Sequence, residues 1–161
     1  MTERTTEDDT ASHGRPARRD LAAMLVPLTR ALTAAELPVL DAHGLAMWAY
    51  AVLLRLDDTP VRTQAALAQA IGADKTRIIG ILDDLERRGL IRREPDPADR
   101  RVRLLSLTDE GRRLRDAVQS AIQLREEKLL SRLPAADRDG FVRALQTLSA
   151  LPPDEFDEII G

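Results

Sequence analysis

The chain has 161 residues, of which 43% are hydrophobic, 32% charged and only 2% aromatic; this suits one mostly helical domain and excludes wholesale disorder and an aromatic-filled β-sandwich. It has no cysteine and only two histidines, His13 and His43, which removes disulfides, thiolate metal sites, cysteine nucleophiles and thiol redox sensing, and signals no Ser-His-Asp triad. The formal net charge of −3 hides an asymmetry: from Arg62 to Arg103 there are ten basic and seven acidic residues, the remainder is acidic overall, and 22 of the 24 basic residues are arginine.

Residues 1–19 alternate in charge with almost nothing to bury, and read as a disordered arm. From Asp20, Leu21, Leu25, Leu28 and Leu32 recur at steps of three and four. That spacing predicts a helix over about 20–36, with Pro27 kinking or breaking it and Pro38 and Gly44 punctuating the chain beyond it. His43 falls in the turn before a second helix, about Leu45 to Leu56, which is apolar nearly all round and must be buried. Its unbroken apolar run, Leu45 to Leu54, is too short to span a bilayer; with no export signal, the expected location is the cytoplasm, without membrane contact.

Asp57-Asp58-Thr59-Pro60 ends that helix, and a short one runs from an N-capping Thr63 to about Ala70. Gly72 makes the turn, and Asp74 caps a helix that stops at Gly89. Two arginine-bearing strands come next, Leu90 to Glu94 and Arg101 to Leu107, separated by the segment Pro95 to Arg100; apolar residues at both parities leave the inner face of the second strand unassigned. Thr108 caps a long helix with Asp109 and Glu110 at its positive end; Leu133-Pro134 breaks it and opens a last helix lined by Phe141, Val142, Leu145, Leu148 and Leu151. The fold class is therefore mainly α with a small β-hairpin: a winged helix-turn-helix embedded in an all-helical frame.

The stretch from Gln64 to Leu85 meets the demands of a helix-turn-helix. Ala68 is small where two helices approach, Gly72 turns the chain, and Leu67, Ile71, Ile78 and Ile81 fill the wedge. With Ile78, Ile81, Leu82 and Leu85 packed inward, the second helix presents Lys75, Thr76, Ile79, Gly80 and Asp83, flanked by Arg77. The hairpin puts Asp99, Arg100, Arg101 and Arg103 beside that face, where an arginine can enter a minor groove and Asp99 can orient Arg101 through a bidentate pair.

The run TQAALAQAIGADKTRIIGILDDLERRGLIRR from Thr63 to Arg93, together with DPADRRVRLLSLTDEG from Asp96 to Gly111, resembles the MarR-type winged-helix transcription regulators. The resemblance covers about Asp20 to Leu151. It implies a single domain over 20–161, with the winged helix at about 60–108 and dimerisation helices at about 20–36 and 108–151. It also implies a homodimer on a pseudo-palindromic double-stranded DNA operator, usually repressing nearby genes, and released by a small, often aromatic or anionic effector in a cleft. Carried over by position, Gln64, Lys75, Thr76, Arg77 and Arg101 match DNA-contacting residues, and Asp99 matches the acidic partner of the wing arginine. Ile79 and Gly80 depart from the polar or basic residues common there; Ile79 suits a thymine methyl or an extra core contact, and Gly80 a close backbone approach. Trp48, Tyr50 and His43 lie near the cleft and are the candidate ligand contacts, although a lone tryptophan on such a helix is more often core.

No Gly-rich phosphate loop, metal-ligand cluster or nucleophile–base pair is visible, so neither an enzyme nor a cofactor is expected. The alternative is a winged helix that binds proteins rather than DNA; net acidity favours it, and Lys75, Arg77, Arg100 and Arg101 on one face oppose it.

Overall fold

The computed structural model describes residues 18–58 and 63–160, so the expected arm lies almost wholly outside the described residues, as do Thr59 and Pro60. Within them the order is α1 (Leu21–Ala42), α2 (Met47–Asp58), α3 (Gln64–Ile71), α4 (Lys75–Arg87), β1 (Ile91–Pro95), β2 (Arg103–Leu107), α5 (Asp109–Leu130), α6 (Ala135–Ser149) and α7 (Pro153–Ile160). The core gathers around α2, which packs against α3, α4, α5 and β2. Val52, Leu53, Leu67, Leu82, Leu85 and Val118 are fully enclosed there. Each such side chain contributes about 1.5–3 kcal/mol through the apolar area it removes from water.

The strands pair antiparallel from Ile91↔Leu107 to Pro95↔Arg103. The hairpin settles the parity that sequence left open: Leu105 and Leu107 are buried, and Leu104 is only partly covered. The second strand begins at Arg103 rather than Arg101, because a turn takes its first residues. The Val102 N–H donates to Asp99 O at 2.8 Å, and the Asp96 N–H to Val102 O at 2.9 Å.

Three expectations are corrected. First, α1 passes unbroken through Pro27 and Pro38 and ends at Ala42, capped by His43. A proline deletes one backbone donor, here the one that would serve Ala34 O, and the neighbouring residues hold the turn: Val39 and Leu40 are buried, and Arg125 on α5 donates to Ala35 O at 3.1 Å. Second, α1 is long and apolar enough to cross a membrane by length and composition alone, at a mean hydropathy of 1.3. Counting unbroken apolar runs overlooked it, because Pro27, Thr29, Arg30, Thr33, Glu36 and Pro38 interrupt its apolar residues. Third, an additional helix, α7, lies beyond the one expected to be last.

A tight junction joins α4, the wing and α5. Gly89 turns at φ +70, and the Thr108 hydroxyl donates to Gly89 O at 2.7 Å while accepting the Gly111 N–H at 3.0 Å. A Cβ on Gly111 would stand 2.0 Å from Leu90 O, so only glycine fits where α5 meets this backbone. The long outer surface is less well covered: α6 buries none of its residues, and Leu129 and Leu133, at the end of α5 and just beyond it, are 46% and 40% exposed.

Candidate nucleic-acid interface

Helix α3 begins because the Thr63 hydroxyl accepts the Ala66 N–H at 3.0 Å, and ends at Gly72 in the left-handed conformation at φ +70. Two residues later Asp74 starts α4, its Oδ1 accepting the Arg77 N–H at 2.8 Å. Leu67, Ala68, Ile78, Leu82 and Leu85 are buried, which fixes the rotation of α4 about its axis. The opposite face is thereby set: Thr76, Arg77, Ile79, Gly80 and Asp83 are exposed, Ile79 at 48%. A Cβ at Gly80 would meet nothing within 4 Å, so this position leaves the face low without any packing need. Lys75 is the first residue of α4; its side chain lies outside the described set.

At the wing tip, Asp99 holds Arg101 three times. Its Oδ1 accepts the Arg101 N–H and Nε, both at 3.1 Å, and its Oδ2 accepts Nη2 at 3.3 Å. The Arg101 side chain is nonetheless 91% exposed. Its hydrogen bonds, the side-chain ones first and then the backbone one, hold the Asp99 carboxyl below its ordinary range. Asp96 is buried beneath the turn, where its carboxylate accepts the Ala98 N–H at 2.8 Å. Arg100 and Arg103 are exposed. Arg103 and Gln64 share a cleft with Glu86, Arg93 and Leu105, so the start of α3 and the base of the wing face one space.

Sequence reasoning missed Arg93. From β1 its Nη2 donates to Asp83 Oδ1 at 2.7 Å and its Nη1 pairs with Glu86 Oε2 at 3.1 Å, fastening the wing to α4. The only available signal was a basic residue on a strand next to an acidic helix, which gives no pairing by itself. Equally unforeseen, Arg77 Cζ lies 5.6 Å from the centroid of the Trp48 ring.

A cavity of about 260 Å³ lies between α1, α2 and α5, lined by Glu36, Met47, Tyr50, Ala51, Leu54, Gln119, Ile122, Gln123 and Glu126. Tyr50 is one of the three expected ligand contacts and lines it. Trp48 reaches Arg77 instead, and His43 Nδ1 lies 2.8 Å from Val39 O at the end of α1. Burial, then the neighbouring Glu36 and Glu126, push the Tyr50 phenol up; burial, then Glu126, raise the Glu36 carboxyl. Among the described residues no group of three or more His, Asp or Glu side chains is placed to hold a metal ion.

The profile of the MarR family matches residues 43–102. The transcriptional regulator HosA of Escherichia coli O111:H- is 34% identical over 99 residues, spanning 62% of this chain and 73% of that one. The chain belongs to the MarR family of transcriptional regulators. Among solved structures, the transcriptional repressor CouR bound to a 23-mer DNA duplex is 30% identical with a TM-score of 0.66, over 81% of this chain and 92% of CouR. CouR from Rhodococcus jostii RHA1 bound to p-coumaroyl-CoA is 29% identical with the same TM-score, over 83% and 94% of the two chains. The match to the MarR family runs from the end of α1 through the wing turn, and so includes every residue of the open face described above except Arg103.

Proposed function

We propose that this protein is a homodimeric, sequence-specific DNA-binding repressor, reading a pseudo-palindromic operator with α4 and the wing of each protomer and released by a small molecule. One observation carries the reading: α3 and α4, capped by Thr63 and Asp74 and turned at Gly72, leave Thr76, Arg77, Ile79 and Gly80 on one open face beside an arginine-tipped hairpin. A single helix fits a major groove about 12 Å wide, and the first turn of α4 carries the groups that would enter it. In this arrangement Thr76, Arg77 and Ile79 meet base edges. Lys75, Arg100 and Arg103 neutralise phosphates, Gln64 donates a hydrogen bond to one, and Arg101, oriented by Asp99, enters the minor groove. The likeness to CouR, a repressor that binds a DNA duplex, supports this role, which places the protein with the chromosome in the cytoplasm.

Dimerisation is supported by the apolar surface one chain leaves open: Leu21, Val26, Leu124, Leu148 and Ile159 are each between 47% and 68% exposed on α1, α5, α6 and α7. A two-fold pair would cover these faces, and protein rather than lipid would then account for the apolar length of α1. An effector would occupy the cavity beside Tyr50, wedging α2 against α5 and shifting the α3–α4 unit that α2 supports. The experiment is selection by the purified protein from random duplexes of about 30 base pairs, long enough for two half-sites one helical turn apart. Enrichment of a two-fold-related sequence supports the reading. Absence of any enrichment refutes it in favour of a protein-binding winged helix.

A further inference from the structure

We propose that Trp48 is a positioning residue of the DNA-reading surface: it holds the guanidinium of Arg77 over its ring, so that this arginine reaches a base edge already oriented. The inference rests on the DNA-binding reading above and adds a residue that does not itself touch DNA.

Trp48 is the second residue of α2 and Arg77 the third of α4. Folding brings the Arg77 Cζ to 5.6 Å from the ring centroid, inside the range of about 6 Å over which a cation is attracted to an aromatic face. On another side the Arg77 Nε stands 3.7 Å from Asp74 Oδ2, and the other oxygen of that carboxylate already accepts the Arg77 backbone N–H. Ring and carboxylate together restrain a side chain that is still 54% exposed. A guanidinium held over a ring face keeps donors free at its outer edge, and those donors make the bidentate contact to guanine.

Among the described residues Trp48 makes no other hydrogen bond or cation–ring contact. It is partly buried, yet it belongs neither to the core cluster nor to the lining of the cavity beside Tyr50. A free arginine loses its rotamer freedom when it docks; one restrained beforehand loses less. Oriented contacts to bases gain from this restraint more than contacts to phosphate do, so Trp48 acts on sequence preference rather than on overall affinity.

The test uses the full chain, the duplex that the wild type enriches from the random library, and a scrambled duplex of equal composition at fixed salt. Trp48→Leu is expected to lower the preference for the enriched duplex by about 2–5-fold. Trp48→Phe should lower it less, since a phenyl face attracts a cation more weakly than an indole. In an Arg77→Ala background, Trp48→Leu should have no further effect. A second readout exists because Trp48 is the one tryptophan of the chain: Arg77→Ala should shift the emission of the free protein, and Arg87→Ala, at the other end of α4, should not. Equal losses from Trp48→Leu in both backgrounds, or emission indifferent to Arg77→Ala, overturn the role of Trp48 while leaving DNA binding intact. If Trp48→Leu does not fold, Trp48→Phe in both backgrounds and the emission decide. A wild type that enriches no duplex overturns the DNA-binding reading, and this inference with it.

Discussion

Arg101 and Asp99 form the most exposed ordered pair of the wing, and its geometry divides their roles. The carboxylate binds the Arg101 backbone N–H as well as its guanidinium, so it fixes both the turn and the direction of the side chain. Arg101→Ala would remove a cation from the minor groove, between the phosphates that line it, so it should weaken binding to enriched and scrambled duplexes and reduce the slope of log affinity on log salt by about 0.9. Asp99→Ala should act in the same direction and less strongly; tighter binding would mean that the carboxylate only repels phosphate. Because the Asp99 carboxyl is held below its ordinary value of 3.8, the pair is complete above that value and is lost only as pH falls below it. Affinity should therefore respond to salt, and not through this pair to pH, across the neutral range. Residues of this local kind were legible in sequence: Thr63, Asp74 and Asp99 bond within three residues of themselves, and Gly72 takes the left-handed turn at φ +70, so spacing alone places them. Arg93 with Asp83, and Arg77 with Trp48, were not, because their partners come from other elements and depend on how those elements pack.

Elements were foreseen where apolar spacing and capping agreed, as in α3, α4 and the start of α5, and misjudged where a single residue was given too much weight. Pro27 and Pro38 suggested a broken first helix, yet buried Val39 and Leu40 and the Arg125 bond to Ala35 keep the last turns of α1 in place. The joint between the wing and α5 is the least tolerant place in the fold. Gly111→Ala would drive a methyl group into the Leu90 carbonyl, which is backbone and cannot swing aside. It should cost at least about 2 kcal/mol in urea unfolding; an unchanged midpoint would show that α5 can slide away from the wing. Between α1 and α5, Glu36 offers a contrast. Burial and then Glu126 raise its carboxyl, so the stability it contributes is complete below its ordinary value of 4.5 and is lost as pH rises through its folded value. Glu36→Gln should thus raise Tm at neutral pH, by at most about 2 °C because solvent screens a group this open, and the gain should vanish in acid.

At the scale of the whole molecule, the described residues divide between one well-enclosed core and outer helices with open apolar faces. The winged helix and α2 together enclose a core around Leu53, Leu67, Leu82 and Leu105, whereas α6 buries nothing, and α1 buries only Val39 and Leu40. The apolar faces of these outer helices were legible in sequence; their cover was not, since one chain carries no information on where a second copy sits. The two-fold pair proposed above would join both facts, because it would hide the outer helices and set two α4 helices at the spacing a palindrome requires. Leu145 and Leu148, 41% and 54% exposed on α6, belong to the surface that such a pair would cover. Sedimentation of the protein at micromolar concentration, alone and with the enriched and scrambled duplexes at physiological salt, examines assembly and recognition together. Two chains in the free protein, two on each palindromic duplex, and a preference of at least about 10³ over the scrambled duplex are expected. A free monomer, or equal affinity for the two duplexes, would contradict a dimeric, sequence-reading regulator.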